Sequence, residues 1–183
     1  MIIGADEVGY GAIAHSVMVC AFRASDDWSI NNLNDSKKLS EEKREFLYEK
    51  LIIEPNISFT VAFRTNNYID EFGLGKALKE CYEEAIQKLI QPEDIVIIDG
   101  NLKWENKQYK SVIKADSSIK TVMAASVIAK VTRDREMIAL SNKYPNYSFE
   151  KHKGYGTKMH RDLMKLHGLC PLHRTSCNLT KFL

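Results

Sequence analysis

Four acidic side chains of this 183-residue chain stand at the ends of predicted strands or just before a predicted helix. Asp6 and Glu7 end the first apolar run, Asp99 follows the apolar run 95–98, and Asp116 precedes a long helical stretch. Ligands of α/β proteins collect at strand ends, so these acids could converge. Carboxylates that lie close together raise one another's pKa, and magnesium or manganese relieves that repulsion because hard cations prefer oxygen ligands.

The spacing alone leaves other interpretations open for these acids. A strand-ending aspartate is commonly a turn residue, and Asp6 and Glu7 could be two solvated loop acids. Neighbouring strand residues point to opposite faces, so Asp6 and Glu7 share a site only where the strand ends or at the edge of the sheet. The glycines at 9 and 11 predict a turn directly afterwards. A phosphate-binding loop is a weak reading, because the acids between the glycines would repel phosphate without a metal.

The elements that must position the acids alternate between strands and helices after an initial hairpin. Strands are predicted at 1–7, 13–22, 57–64, 95–98 and 111–114. Helices are predicted at 41–53, 74–89, 118–142 and 158–167, with a polar connector at 66–72 and a loop at 146–157. The run 95–98 is typical of a strand buried on both faces. This order predicts a mixed sheet covered by helices.

Charge is distributed unevenly along the chain. Residues 1–140 contain 18 basic and 22 acidic side chains, whereas residues 141–183 contain eight basic and two acidic ones. A basic tail beside an acidic body suggests that the tail holds a polyanion and the body holds a metal. An ordinary solvated surface is the alternative.

Length and composition limit the class of protein. The length fits one domain, and no apolar stretch of about 18 residues is present to span a membrane. The first residues are too short and too acidic for a signal peptide. The four cysteines form no C-x-x-C pair, which favours a reducing, cytoplasmic setting. His160, His167 and His173 lack the tight spacing of metal ligands.

Seven stretches spread over nearly the whole chain carry a resemblance to a known family. They read Gly-Ala-Asp-Glu-Val-Gly at 4–9, Asp-Ser-Lys-Lys-Leu at 35–39, Ile-Asp-Gly at 98–100, Lys-Ala-Asp at 114–116, Ala-Ala-Ser-Val-Ile-Ala-Lys-Val-Thr-Arg-Asp at 124–134, His-Lys-Gly-Tyr-Gly-Thr at 152–157 and Pro-Leu-His-Arg at 171–174. In content and order the chain resembles type 2 ribonuclease H, also called ribonuclease HII.

The resemblance implies an α/β, ribonuclease H-like fold: a mixed five-stranded sheet flanked by helices, with a small C-terminal helical appendage. We expect a catalytic core over 1–145 and a basic segment over 146–183 packed on that core, as one domain overall. The implied reaction is two-metal-ion hydrolysis of the RNA strand in RNA–DNA hybrids. It includes cleavage 5′ of single ribonucleotides embedded in duplex DNA, leaving 5′-phosphate and 3′-hydroxyl ends.

The family motifs also imply the site residues. The implied catalytic acids are Asp6, Glu7, Asp99 and Asp116, which would bind Mg²⁺ or Mn²⁺, two ions with substrate bound. The implied substrate-binding residues are Gly9, Tyr10, Gly11, Ser36, Lys37, Lys38, Ser126 and Tyr155. Of these, Tyr155 would stack on the sugar beside the ribonucleotide. The expected partners are RNA–DNA hybrids and ribonucleotide-containing DNA duplexes; no protein partner is predicted, and a monomer is expected.

One departure from the family pattern concerns the turn after the first two acids. The family usually has Gly-Arg-Gly followed by a proline, whereas this chain has Gly-Tyr-Gly-Ala at 9–12, and His15-Ser16 replaces a later Gly-Pro. The missing arginine removes a charged phosphate contact, for which Lys37 or Lys38 could compensate. The alternatives are a type 3 ribonuclease H, another nuclease of the same fold, or a hybrid-binding protein that has lost activity.

Overall fold

A five-stranded sheet with helices on both faces forms the centre of the computed structural model, which describes residues 1–179. The strands are β1 (Ile2–Val8), β2 (Val17–Ala24), β3 (Ser58–Arg64), β4 (Ile95–Asp99) and β5 (Tyr109–Val112). They lie in the order β3-β2-β1-β4-β5, with β2 antiparallel to both β3 and β1, and β4 parallel to both β1 and β5. The predicted mixed five-stranded sheet is confirmed.

The helices follow the predicted order with two additions, the second and the fifth helix. They are α1 (Glu41–Leu51), α2 (Asn66–Phe72), α3 (Leu74–Gln87), α4 (Lys120–Lys143), α5 (Phe149–His152) and α6 (Lys158–His167). The Ser40 hydroxyl caps α1 by accepting from the Lys43 N–H at 3.3 Å. Short 3₁₀ turns cover Ser36–Lys38, Ala115–Ser117 and Pro145–Tyr147.

Three predictions about these elements were wrong. The loop expected at 146–157 contains the short helix α5, whose Phe149 and His152 are buried. The expected connector at 66–72 is helix α2, which tertiary contacts support: Ile69 is buried, and the Asn66 amide donates to the Pro171 carbonyl at 2.9 Å. Strand β4 is not buried on both faces, since Ile95 is 46% exposed. Its face on the α3 side is covered, but α4 lies mainly over β1 and β2.

Strand β1 sits between two apolar layers, with α3 packed on one face of the sheet and α4 on the other. Helix α4 approaches β1 closely at Gly4, where an added Cβ would lie 2.2 Å from the main-chain carbon of Thr121. No side chain separates the two backbones there. Strand and helix are therefore fixed relative to each other two residues before Asp6.

The segment after α4 packs back on the chain near the turn between β1 and β2. Isolated β-bridges join Ala12 to Tyr155 and Ala14 to His173. The division into a core over 1–145 and a basic segment over 146–183 within one domain stays a prediction, and positions 180–183 lie outside the described residues. Within residues 1–179, no helix has the length and apolar character needed to cross a membrane.

Candidate active site

The first two acids lie where the parallel pairing of β1 ends. Strand β1 pairs with β2 along its whole length, but its register with β4 stops at Ala5 opposite Ile98. The next residue on each strand is an aspartate, Asp6 or Asp99. The carboxyl ends of two parallel strands therefore bring these acids together, which is where α/β folds collect ligands.

Asp6 and Glu7 leave opposite faces of β1, as strand geometry requires. Glu7 points toward α3, where its carboxylate accepts a hydrogen bond from the buried Tyr82 hydroxyl at 2.6 Å. Asp6 lies on the α4 side beside Ser126. Carboxylate oxygens of Asp6, Glu7 and Asp99 nevertheless all lie within 4.8 Å of one another. They meet because β4 ends at this point and leaves the sheet open.

Asp116 joins this group through Asp99. The Asp99 carboxylate accepts from the N–H of Ala115 at 2.7 Å and from that of Asp116 at 3.5 Å. The Asp116 carboxylate accepts from the Lys37 ammonium at 2.9 Å. The short 3₁₀ turn at Ala115–Ser117 thus holds the fourth acid beside the third, while Lys37 balances its charge.

The acid cluster is electrostatically strained without a cation. Burial, with the charges of Glu7 and Asp99, raises the pKa of Asp6 well above its usual value. Burial and the charge of Asp116 also raise the pKa of Asp99. The hydrogen bond to Asp116 raises the pKa of Lys37 to about 12, so this ammonium stays charged. An all-oxygen donor set of this charge fits a hard divalent cation such as Mg²⁺ or Mn²⁺.

A cleft of about 210 Å³ opens beside the acids. Its lining combines Asp6 and Glu7 with seven of the predicted substrate-binding residues: Gly9, Tyr10, Gly11, Ser36, Lys37, Ser126 and Tyr155. Lys38, the eighth, does not line this cleft. Asp99, together with Glu7, Tyr10 and Tyr82, lines an adjoining cleft. The structure thus brings the predicted acids and most of the predicted substrate contacts to one region.

The segment that carries Ser36 and Lys37 is fixed against α4. The hydroxyls of Ser36 and Ser126 are 2.8 Å apart and both residues are buried. The Asp35 carboxylate caps the 3₁₀ turn by accepting from the Lys37 N–H at 2.9 Å. The main chain at Lys37 is therefore fixed, while its side chain is 75% exposed and reaches Asp116 with its ammonium.

Sequence reasoning missed two residues of this region. Lys130 lines the cleft with its ammonium 5.6 Å from the centre of the Tyr155 ring, and it also pairs with Asp134 at 2.7 Å in a partly buried contact. The available signal was spacing, because Lys130 follows Ser126 by one helical turn and shares its face. Tyr82 lies among the apolar residues of α3, and its spacing alone does not indicate the hydroxyl contact with Glu7.

Comparisons with known proteins agree with this arrangement. The family model described as Ribonuclease HII matches residues 3–181. The Ribonuclease HII of Endomicrobium trichonymphae is 40% identical over 175 residues, which cover 94% of this chain and 83% of that protein. The RNase HII of the PCNA complex from Archaeoglobus fulgidus superimposes with a TM-score of 0.80 at 28% identity, covering 96% of this chain and 92% of that one.

A more distant likeness concerns a structure of Bst-RNase HIII in complex with Mn²⁺. It superimposes with a TM-score of 0.73 at 18% identity, covering 99% of this chain and 68% of that one. At this identity the likeness speaks only for the fold.

The fold and the acids at its strand ends place the chain in the ribonuclease H class of hydrolases, whose members depend on divalent metals and act on RNA–DNA hybrids. Within that class, the chain belongs to the ribonuclease HII family. The alternative of a type 3 ribonuclease H is set aside, because the matching family is type 2.

Proposed function

We propose that this chain cuts on the 5′ side of single ribonucleotides embedded in duplex DNA, in addition to hydrolysing the RNA strand of hybrids. Asp6, Glu7, Asp99 and Asp116 would be its metal-binding acids. The observation that carries the proposal is that three carboxylates with oxygens within 4.8 Å of one another lie next to a cleft lined by a glycine turn and Tyr155.

The acids would hold Mg²⁺ or Mn²⁺, two ions with substrate bound. When present, such ions neutralise the carboxylates, activate water and stabilise the oxygen that leaves a phosphodiester. The products would carry 5′-phosphate and 3′-hydroxyl ends. The chain itself contributes the fixed positions of the carboxylates, since β1, β4 and the 3₁₀ turn before α4 each hold one part of the set.

Recognition of the ribose would fall to the turn at 9–11 and to Tyr155. Tyr10 and Gly11 line the cleft, and their main-chain N–H groups donate no hydrogen bond within residues 1–179. A main-chain N–H group of this turn could donate to a 2′-hydroxyl, the group that distinguishes RNA from DNA. Tyr155 lines the same cleft and would offer its ring for stacking on the neighbouring sugar.

Phosphate contacts would come from lysines, because Tyr10 replaces the arginine that the family usually has in the turn. Lys37 and Lys130 both line the cleft, and Lys37 is therefore better placed than Lys38 to replace that contact. Basic residues of the tail, such as Lys158 and Lys165 on the exposed surface of α6, would hold the duplex backbone farther out. Binding should then weaken as salt rises.

A cleavage assay with three duplexes of one sequence tests the proposal. The duplexes are an RNA–DNA hybrid, DNA with a single ribonucleotide, and DNA alone, each with Mg²⁺, with Mn²⁺ and with neither. We expect metal-dependent cutting of the first two, mapped to the 5′ side of the ribonucleotide in the second. Cutting of the hybrid but not of the DNA with a single ribonucleotide would contradict the proposed cleavage at embedded ribonucleotides. Binding without cutting in the presence of either metal would indicate a hybrid-binding protein.

The variant Asp99→Asn tests the site assignment, with Asp27→Asn on an exposed loop as the matched control. Loss of one metal ligand should lower turnover by at least roughly a thousandfold. Duplex affinity should stay within about threefold, because Asp99 supplies no phosphate contact. Turnover of Asp99→Asn equal to that of Asp27→Asn would contradict the assignment.

A further inference from the structure

Two arginines behind the glycine turn are completely buried and form no ion pair within residues 1–179. Arg133 of α4 and Arg174, which follows α6, each have a fractional exposure of 0%. Burying a charge is costly unless hydrogen bonds replace the lost water. Here the hydrogen bonds all run to main-chain carbonyl oxygens, so the two guanidinium groups organise backbone.

Arg133 joins two separate segments of the chain. Its Nε donates to the Ser16 carbonyl at 2.9 Å and its Nη2 to the Ala14 carbonyl at 3.1 Å. Its Nη1 donates to the Lys153 carbonyl at 2.8 Å. The same guanidinium lies 5.6 Å from the centre of the Tyr155 ring. One planar group thus spans the turn after β1 and the segment that carries Tyr155.

Arg174 holds the turn itself. Its Nε donates to the His15 carbonyl and its Nη2 to the Ser16 carbonyl, both at 2.8 Å. Its Nη1 donates to the carbonyls of Ala12 at 2.8 Å and Tyr10 at 3.3 Å. Four carbonyls of the segment 9–16, which we term the recognition turn, therefore converge on one side chain.

The recognition turn contains no strand or helix. Besides the two guanidinium groups, it is held by the isolated bridges of Ala12 and Ala14, by main-chain hydrogen bonds of Ile13 and His15, and by the Ser16 hydroxyl, which donates to Glu136. The main chain lies against the arginines, since a Cβ added at Gly9 would meet Arg133 Nε at 2.4 Å. Four of its carbonyls are taken up by Arg174, whereas the N–H groups of Tyr10 and Gly11, two residues that line the cleft, donate no hydrogen bond within residues 1–179.

A histidine pair extends this support to Tyr155. His160 Nδ1 lies 3.0 Å from the Tyr155 carbonyl, and His160 Nε2 lies 3.1 Å from His173 Nε2. The Cys170 N–H donates to His173 Nδ1 at 2.9 Å, so that His173 donates from Nε2 and His160 donates from Nδ1. His173 immediately precedes Arg174, so one short segment supports both sides of the cleft.

We propose that Arg174 is a positioning residue for ribose selectivity. It fixes the recognition turn so that the N–H groups of Tyr10 and Gly11 meet the 2′-hydroxyl. Arg133 in turn holds the segment that carries Tyr155 at a fixed distance from the recognition turn. This inference rests on the proposed function and adds the residues that set its specificity. Neither arginine touches substrate, and both act through the backbone they bind.

The variant Arg174→Lys keeps the charge but cannot bind four carbonyls, and Arg135→Lys on the exposed face of α4 is its matched control. Selectivity is measured as the ratio of dissociation constants for all-DNA duplex and for the same duplex with one ribonucleotide, in Ca²⁺. We expect this ratio to fall at least roughly tenfold in Arg174→Lys, and kcat in Mg²⁺ to fall by on the order of a hundredfold. Affinity for the all-DNA duplex should not change.

A merely structural role predicts a different result, because loss of folded protein lowers the number of sites and leaves the ratio of dissociation constants unchanged. An unchanged ratio in folded Arg174→Lys would overturn the inference. If the wild-type chain neither binds the ribonucleotide duplex more tightly than all-DNA duplex nor cuts it, the proposed function itself is wrong. That result is distinct from an unchanged ratio in Arg174→Lys, which contradicts only the role of Arg174.

Hydrogen exchange on the wild-type chain gives a second test that needs no variant. The N–H groups of Ile13 and His15 donate to carbonyls of Gly154 and Leu172 at 2.9 and 2.7 Å. If the arginines hold the recognition turn rigid, these amides should exchange as slowly as those of β2. Exchange as fast as in the exposed loop at 25–27 would overturn the inference even if Arg174→Lys did not fold.

Discussion

The acid cluster and the arginine pair are both groups of like charges near one cleft, but they differ in how the fold compensates their charge. Arg133 and Arg174 have seven hydrogen bonds to main-chain carbonyls between them. Asp6, Glu7 and Asp99 keep oxygens directed at one another, and the pKa values of both aspartates are raised. The arginine charges are hydrogen-bonded to backbone and position it, whereas the carboxylates, although hydrogen-bonded, still repel one another, which marks where a cation belongs.

Removal of one buried arginine should have the largest effect on stability. Arg133→Met removes three hydrogen bonds to carbonyls, of which only that of Ser16 keeps a donor from Arg174, and should lower the free energy of unfolding by roughly 3 kcal/mol. Arg135→Met, two positions along α4, removes exposed ion pairs with Glu45 and Glu49 and a contact with the Tyr48 ring, and should cost at most about 1 kcal/mol. Urea unfolding at pH 7 compares the two variants. Equal decreases in the free energy of unfolding would show that the buried guanidinium group of Arg133 contributes no more to stability than the exposed one of Arg135.

The variant Tyr82→Phe tests the support of the acid cluster. It removes the hydroxyl that donates to Glu7 at 2.6 Å. Loss of such a support for a metal ligand should raise the metal concentration needed for half-maximal activity by about tenfold. Tyr109→Phe is the control, because that buried hydroxyl accepts from Gln87 instead. Identical metal titrations for the two variants would remove Tyr82 from the site.

The histidine pair gives the smallest effect, which depends on pH. Burial lowers the pKa of His160 from about 6.5 to about 3, so the folded chain holds this ring neutral while the unfolded chain binds a proton. The stabilisation is complete above the unfolded pKa and is lost as pH falls toward the folded one. Between pH 7 and pH 5.5 the loss should be about 1 kcal/mol.

The variant His160→Gln should flatten this pH dependence in urea unfolding, whereas His167→Gln on the exposed end of α6 should leave it unchanged. A slope in His160→Gln as steep as that of the wild type would assign the effect to His152 or His173, whose pKa values burial also lowers.

Elements with local signals could be predicted from the sequence. The bounds of α6 agree with the predicted 158–167, and α1 begins at Glu41, the first residue of the predicted helix 41–53. Helix α2 could not be predicted, because its asparagines resemble a loop and its support comes from distant residues such as Pro171.

The acids and the arginines also differ in whether a local sequence signal reveals their place in the fold. Asp6 and Asp99 follow apolar runs, so their place at strand ends can be read from the chain. Arg133 and Arg174 carry no such signal, because an arginine is ordinarily exposed and its burial depends on carbonyls brought together only by folding. Sequence therefore predicts where chemistry is placed better than what holds it there.

Gly4 has a consequence for the size of the cleft. With main chain resting on main chain at this position, the separation of β1 from α4 cannot adjust through a change of rotamer. The strand carries Asp6 and Glu7, and the helix carries Ser126 and Lys130. The distance between β1 and α4 is thus set by the hydrogen atom that Gly4 has in place of a side chain. Any larger side chain at Gly4 would push the strand and the helix apart, and with them the groups that both carry.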